Sequence, residues 1–192
     1  DQPNHFGAMV TPVDEIQKVA NRIAKSDYQM NTHAIGDSAN VVVLRAYENA
    51  LKGEKDRRWK VEHAQVLSTP DFDYFKEGII PSVQPTHATS DMYWAEDRLG
   101  ADRVKGAYAY KTLLGKAGLV ALVNEALSRE ETLKGMTIWA AYSNFEENEK
   151  GSIEVGKFAD FIILNKDIMT IAEDKIPEAN ADYVFMSGKV VE

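Results

Sequence analysis

Two short segments decide the fold, NTHAIGD at residues 31–37 and VEHAQ at residues 61–65. Each places a histidine, His33 or His63, at the downstream end of a short apolar run. Thirty positions separate the two histidines, which is about the length of one strand–helix–strand repeat. If both runs are parallel strands of one barrel, both imidazoles emerge at the same rim, where such folds keep their chemistry. The spacing therefore predicts part of a metal site, because neutral imidazole is the commonest metal ligand among side chains.

The composition narrows the possible classes of function. The chain has 192 residues, of which 44% are hydrophobic, so we expect a substantial core and little disorder. The net charge is −8 and basic residues do not cluster, which argues against nucleic acid or a membrane as a partner. The chain has no cysteine, which excludes disulfides and cysteine-ligated zinc. No apolar run reaches the roughly 18–20 residues that span a bilayer.

The start of the sequence, DQPNHFG at residues 1–7, has no initiator methionine and no signal-peptide pattern. This pattern is typical of a chain entered in its middle. We therefore expect a fragment of a longer protein, and a cytoplasmic one.

Helix and strand patterns alternate through most of the chain. Thr11 and Thr69, each followed by proline, predict capped helix starts, and another helix is predicted from Asp37 or Ser38 to Gly53. The helix that starts at Thr69 is predicted to end at Gly78, and a further helix at residues 103–116 is predicted to end at Gly118. Short apolar strands are predicted at residues 28–32, 59–62, 79–84 and 119–123. A capping box at residues 128–131 predicts the last helix. The alternation predicts an α/β fold with a parallel sheet, and four strands amount to half of an eight-stranded barrel.

The sequence changes character after about Asn148. Residues 151–157 combine turn residues with an alternation of apolar and polar residues, and residues 161–164 form an apolar strand pattern. Residues 183–191 predict a hairpin with glycine in its turn. We therefore expect two domains, residues 1–147 and a smaller all-β unit at residues 148–192.

Each candidate site residue has a second, structural interpretation. His33 or His63 alone could be a strand-end histidine that donates to a backbone carbonyl. Asp37 either caps the following helix or hydrogen-bonds a metal-binding imidazole and so orients it. The segment at residues 85–102 is predicted as a long loop, in which His87 would be a substrate donor and Trp94 a pocket wall. Alternatively, ionic contacts of the adjacent Asp97 and Arg98 only tie that loop down.

Four motifs in order resemble the amidohydrolase superfamily, and within it the YtcJ-like metal-dependent hydrolases. They are THAIGD at residues 32–37, EHAQ at 62–65, QPTHATSDM with WAEDR at 84–98, and GSIEVGKFADF at 151–161. The resemblance implies a distorted (β/α)8 barrel of the TIM type followed by a small β-sandwich. Residues 1–147 would then hold about strands five to eight, the C-terminal half of the barrel, and residues 148–192 the C-terminal part of the sandwich.

The resemblance also implies an activity. Members of the family bind one or two divalent metals, commonly zinc, and use a metal-activated water to attack a C–N bond other than a peptide bond, as in an amide or cyclic amide. By motif, His33 matches the metal ligand of strand five and His63 that of strand six. The partner implied is a small-molecule substrate.

At least three ligand positions that the resemblance implies are absent. The first-strand His-x-His pair and the bridging residue are not in the chain. The strand-eight Asp, expected after Leu122, is replaced by Val123, Asn124 and Glu125, so no catalytic residue is assigned. We therefore expect the chain to be inactive alone and to need either a missing N-terminal half or a second copy of itself.

Two other classes of function stay open. The chain could be a non-catalytic half-barrel or pseudoenzyme that self-associates, because open sheet edges invite pairing. It could instead be a sugar- or nucleotide-binding α/β module without a metal, although no glycine-rich phosphate loop is present.

Overall fold

The computed structural model describes residues 7–84, 86–121 and 127–191. The chain divides into two compact units between Leu127 and Ser128. The predicted domain boundary, between residues 147 and 148, lies twenty positions later. The assignment of residues 1–147 to a barrel and of residues 148–192 to a sandwich stays a prediction.

The first unit alternates helices with short strands. Its elements are α1 (Val13–Ile23), β1 (Asn31–Ala34), α2 (Asp37–Leu51), β2 (Lys60–His63), a 3₁₀ helix (Thr69–Glu77), β3 (Ile80–Ser82), α3 (Thr86–Asp91), α4 (Ala95–Arg103), a second 3₁₀ helix (Val104–Gly106) and α5 (Tyr110–Ala117).

The three strands form one parallel sheet in chain order. β1 pairs with β2 from Asn31 opposite Lys60 to Ala34 opposite His63. A parallel bridge from Ser82 to Ala121 extends the sheet where a fourth strand is predicted, and the end of that prediction falls on residues outside the described ranges. The predicted α/β fold with a parallel sheet is confirmed, with β1 and β3 shorter than predicted and β2 displaced by one residue.

The core of the first unit joins the sheet to α1, α2, the first 3₁₀ helix and α5. Its largest fully buried side chains include Trp59, Tyr47, Tyr110 and Phe75. Burial of such a side chain contributes about 1.5–3 kcal/mol. The Tyr47 hydroxyl also donates to the carbonyl oxygens of Met30 at 3.0 Å and Lys60 at 2.9 Å, so α2 ties the upstream ends of β1 and β2 together.

The predicted long loop at residues 85–102 is wrong, because this stretch holds α3 and most of α4. Serine and threonine compete with helices by bonding nearby backbone groups. Here the Thr89 hydroxyl instead donates to the Thr86 carbonyl at 3.1 Å, three residues earlier, and the Ser90 hydroxyl donates to Oδ1 of the adjacent Asp91 at 2.8 Å. These bonds satisfy the polar side chains within a helical turn.

Three predicted caps are also wrong. α1 begins after Pro12 without a side-chain cap from Thr11, and α2 begins after Gly36 without a cap from Asp37 or Ser38. Thr69 lies inside the first 3₁₀ helix, which begins after Ser68 and has no side-chain cap. The predicted ends at Gly78 and Gly118 are confirmed, since these glycines follow the first 3₁₀ helix and α5 with φ of 80° and 77°. Glycine adopts this left-handed conformation without steric cost.

The second unit begins with helices and continues as a small antiparallel sheet. Its elements are α6 (Arg129–Met136), α7 (Ile138–Ser143), β4 (Phe161–Leu164), a 3₁₀ helix (Glu173–Glu178), β5 (Ala181–Met186) and β6 (Lys189–Val190). The predicted capping box is confirmed by reciprocal bonds between Ser128 and Glu131, and the predicted hairpin by the pairing of β5 with β6.

No helix among the described residues is long and apolar enough to cross a membrane.

Candidate metal centre

His33 and His63 lie at the same edge of the parallel sheet. His33 is the third of four residues in β1 and is exposed, whereas His63 is the last residue of β2 and is half-buried. Because β1 and β2 are neighbours and run in the same direction, their carboxyl ends meet at one edge. This placement agrees with the expectation that the two strand-end histidines share a rim.

The two imidazole rings are in contact. Their centroids are 4.2 Å apart, and their planes meet at 70°. Strand register alone does not account for this contact, because Glu62 lies opposite His33 and Ala34 lies opposite His63. Regular alternation would therefore turn the His63 ring towards the other face of the sheet.

The backbone departs from an extended strand at His63. Its φ is 74°, and that of Ala64 is 43°. Residues other than glycine adopt this region rarely and at a cost of about 1–3 kcal/mol, and such strain clusters at functional sites. The left-handed turn ends the alternation of β2 at His63, so that its ring meets the ring of His33.

A third imidazole lies beside the pair. The His87 ring, carried by α3, is centred 5.8 Å from the His63 ring, with the planes at 59°. The structure thus brings together three of the histidines singled out from the sequence. Within the described ranges, however, no three or more His, Asp or Glu side chains form a group that could hold a metal ion. The described residues thus provide two imidazole rings in contact, those of His33 and His63, with the His87 ring beside them.

The surroundings of His63 favour its neutral form. Burial lowers the pKa of this imidazole below its ordinary value of 6.5, and the nearby imidazoles of His33 and His87 lower the pKa further. Its Nδ1 atom is buried and has no hydrogen-bond partner among the described residues. The Oε1 atom of Gln84 is likewise buried and without a partner among them. A neutral imidazole beside a second imidazole fits a divalent cation, since the neutral ring is the form that binds metal.

Asp37 engages other partners in this structure. Its carboxylate accepts a hydrogen bond from the backbone N–H of Ser38 at 2.9 Å and one from Nε of Arg103 at 2.9 Å. The predicted bond to a metal-binding imidazole is not among the contacts of the described residues. The orienting role of Asp37 stays a prediction.

Trp94 immediately precedes α4, and its side chain is 47% exposed. No aromatic contact within the described part of the chain joins it to a histidine. Asp97 and Arg98 form no ion pair there either, so the alternative of an ionic tie is not supported. The substrate-binding roles of His87 and Trp94 stay predictions. The position after Leu122, where the expected Asp is missing, lies outside the described residues.

Sequence reasoning missed a hydrogen-bonded group next to the histidines. The Tyr108 hydroxyl donates to Oδ2 of Asp91 at 2.5 Å, and Nε2 of Gln65 donates to the Tyr108 oxygen at 2.9 Å. Asp91 ends α3, the helix of His87, whereas Gln65 follows His63 by two positions. The only available signal was that Gln65 and Asp91 fall inside the EHAQ and QPTHATSDM motifs.

Comparison with known proteins identifies the family. The sequence profile described as "Amidohydrolase family" matches residues 2–124 and 116–192. The chain belongs to the amidohydrolase family. The resemblance to YtcJ-like members of this family is also confirmed, since the chain is 27% identical to amidohydrolase YtcJ of Bacillus subtilis (strain 168), over 100% of the chain and 42% of that protein.

Other known proteins show comparable similarity. The chain is 32% identical to Protein LONG AFTER FAR-RED 3 of Arabidopsis thaliana, over 86% of the chain and 34% of that protein. It is 24% identical to N-substituted formamide deformylase of Arthrobacter pascens, over 96% and 40%. The crystal structure of an uncharacterized metal-dependent hydrolase from Pyrococcus furiosus matches with a TM-score of 0.69 and 28% identity, over 81% of this chain and 37% of that one. The chain thus spans about two fifths or less of the length of these relatives.

Proposed function

We propose that His33 and His63 are ligands in the divalent-metal centre of a hydrolase that cleaves a C–N bond other than a peptide bond in a small molecule. One observation carries the proposal. The two rings lie 4.2 Å apart at the carboxyl edge of adjacent parallel strands, in a chain that belongs to the amidohydrolase family.

The proposed architecture is the C-terminal half of a (β/α)8 barrel, about strands five to eight, followed by the C-terminal part of a small β-sandwich. Three parallel strands in chain order, with helices between them, support the barrel portion. The antiparallel order β4-β5-β6 supports the sandwich portion.

The residues of this chain account for part of the chemistry. A divalent ion in such a site supplies Lewis acidity and a nucleophilic water near neutral pH. His33 and His63 would hold the ion through neutral imidazole nitrogens, and the lowered pKa of His63 keeps its lone pair free. Zinc is the metal we propose, because imidazole is one of its preferred ligands and zinc is the common metal of the family that the chain resembles.

The proposed substrate class is supported by the family and by the side chains near the His33 and His63 rings. One relative is named for deformylating N-substituted formamides, which supports an amide or cyclic amide substrate. His87, whose ring is centred 5.8 Å from that of His63, is proposed to hydrogen-bond the polar end of the substrate. Trp94, with its side chain 47% exposed, is proposed as an apolar wall.

Two imidazoles do not complete a catalytic site. Catalytic zinc is usually held by three protein ligands plus water. We therefore propose that these residues need further donors, supplied by an N-terminal half of the protein or by a second copy, and that the chain alone is inactive. A cytoplasmic location remains a prediction from the sequence.

Metal titration of the purified chain tests the ligand assignment. The probe is Zn²⁺, with affinity measured by calorimetry, and the variants are His33→Ala and His63→Ala. Each is expected to weaken binding by about tenfold or more. The matched control is His5→Ala, which removes the one histidine that the proposal does not use and should leave the affinity unchanged.

Two results would contradict the proposal. If His33→Ala and His63→Ala bind Zn²⁺ as tightly as the parent chain, neither imidazole is a ligand. If the whole metal-loaded protein leaves N-substituted formamides, amides and cyclic amides all intact, the assignment to C–N bonds is wrong. Failure of metal binding by the whole protein would instead favour the non-catalytic alternative.

A further inference from the structure

Asn40 lies where the segments that follow β1 and β2 approach one another. It belongs to the first turn of α2, and its side chain is completely buried. Its Nδ2 atom lies within hydrogen-bond distance of four carbonyl oxygens, those of Ala34 at 3.2 Å, Ile35 at 3.2 Å, Gly36 at 3.0 Å and Val66 at 3.0 Å. The first three carbonyls follow His33, and the fourth follows His63.

The same face of α2 also holds β1 and β2 together at their upstream ends. Tyr47 is seven positions after Asn40, or two helical turns, and so lies on the same face of the helix. Its hydroxyl contacts the carbonyls of Met30 and Lys60, at the upstream ends of β1 and β2, and the Thr32 hydroxyl at 2.7 Å. Asn40 acts at the downstream ends, where the histidines are. Of these two ties among the described residues, only that of Asn40 joins the segments that follow the histidines.

The hydrogen bonds of Asn40 are relevant to the contact between the His33 and His63 rings, because strand register does not create that contact. The His63 ring reaches His33 through the left-handed turn at His63 and Ala64. Val66 follows this turn by two positions and is held to the segment after β1 by the Asn40 amide and by its own N–H, which donates to the Ile35 carbonyl at 2.9 Å. Without the amide, the bond from the Val66 N–H to Ile35 would be the one described bond left between the segments after β1 and β2, while the Gln65 carbonyl would still accept from the Tyr108 N–H at 2.8 Å.

We propose that Asn40 is a positioning residue that sets the separation of the His33 and His63 rings by holding the segment after β2 against the segment after β1. The consequence for metal affinity rests on the proposed function, whereas the consequence for the ring contact does not. Asn40 contacts neither ring in this structure and acts only through the backbone.

Nuclear magnetic resonance of the full chain with labelled histidine tests this inference. The readout is the nuclear Overhauser effect between the His33 and His63 ring protons, supplemented by Zn²⁺ affinity. Asn40→Ala is expected to lose most of the ring-to-ring effect and to weaken Zn²⁺ binding by about 10–100-fold, as other partners that orient metal ligands do. Tyr47→Phe is the matched control, since it removes the upstream tie and should leave both readouts unchanged.

The outcomes separate positioning from plain stabilisation. Thermal unfolding establishes that each variant is folded, and should Asn40→Ala fail to fold, Asn40→Ser keeps one donor and is expected to give an intermediate loss of both readouts. The inference is overturned if the folded Asn40 variants keep the ring-to-ring effect of the parent chain. It is also overturned if Tyr47→Phe loses the effect to the same extent. If the parent chain shows the effect and the whole protein binds no Zn²⁺, the proposed function fails, and the ring-to-ring effect in the variants alone decides the positioning role.

Discussion

Tyr108 and Asp91 form a short hydrogen bond that joins two parts of the chain beside the histidines. The phenolic oxygen lies 2.5 Å from Oδ2 of Asp91, a carboxylate that is only 9% exposed. The Ser90 hydroxyl donates to Oδ1 of the same carboxylate at 2.8 Å. Burial and the neighbouring carboxylate raise the pKa of Tyr108, so its hydroxyl stays protonated and able to donate. The end of α3 is thereby fastened to the segment that pairs with Gln65.

Replacing this donor should be costly. Tyr108→Phe removes one of the hydrogen bonds to a buried carboxylate, and leaving such a group underpaired costs about 1–3 kcal/mol. We expect the free energy of unfolding in urea to fall by that amount. The control is Tyr93→Phe, because the Tyr93 side chain is 82% exposed and should change stability by less than about 0.5 kcal/mol. Equal effects of the two substitutions would show that the bond to Asp91 contributes nothing specific.

Gly106 is required by a close backbone approach. A Cβ atom at this position would lie 1.8 Å from the Leu67 carbonyl oxygen, and the Leu67 N–H donates to the Gly106 carbonyl at 2.9 Å. Gly106→Ala must therefore separate these two segments, at a cost of about 1–3 kcal/mol. Gly115→Ala provides the contrast, since Gly115 lies within α5 with nothing inside 4 Å of its added Cβ.

The two alanine variants should differ in sign. Alanine is favoured over glycine inside a helix by about 1 kcal/mol, so Gly115→Ala is expected to raise the unfolding temperature while Gly106→Ala lowers it. Differential scanning calorimetry of both variants measures this. Stabilisation by Gly106→Ala would show that the Leu67 segment moves away at no cost.

Stability should fall at alkaline pH through buried tyrosines. Burial raises the pKa of Tyr110 from 10 to about 12, and the nearby Asp91 carboxylate adds to the shift. Between these pH values the unfolded chain has lost the phenolic proton that the folded chain retains. Stability therefore decreases as pH rises through this range, by about 1.4 kcal/mol per pH unit for one such group.

Tyr110→Phe isolates this contribution from that of the titrating lysines. We expect the stability of the variant, measured by urea unfolding from pH 9 to 11, to fall less steeply above pH 10 than that of the parent chain. Tyr28→Phe, at an exposed tyrosine, should keep the parental slope. An unchanged slope in Tyr110→Phe would mean that this phenol ionises equally in the folded and unfolded chains.

Several features were predictable because they depend on neighbours in sequence. The Ser128–Glu131 capping box closes within one helical turn, and the hairpin of β5 and β6 closes around its own turn. The helix ends at Gly78 and Gly118 need only a residue that tolerates positive φ. In the same way, the strand–helix spacing was enough to predict that His33 and His63 share one edge of a parallel sheet.

Other features were missed, one because its local composition is misleading and one because its partner is distant in the sequence. The helical state of residues 86–91 and 95–103 was missed because their polar composition is typical of a loop, and the Thr89 hydroxyl stabilises the first turn. The Asp37 carboxylate was expected near an imidazole, yet it pairs with Arg103, sixty-six positions away. No local sequence pattern predicts a partner at that distance.

The two histidines show where the division lies. The sequence alone determined that both imidazoles follow parallel strands, because hydrophobic runs and repeat spacing are local properties of the chain. Only the tertiary structure decided that the rings touch, since the register sets His33 opposite Glu62 and the contact needs a strained turn at His63. That turn is held by a hydrogen bond from the Asn40 amide to the Val66 carbonyl and by one from the Val66 N–H to the Ile35 carbonyl, and a strained conformation persists only where surrounding contacts offset its cost.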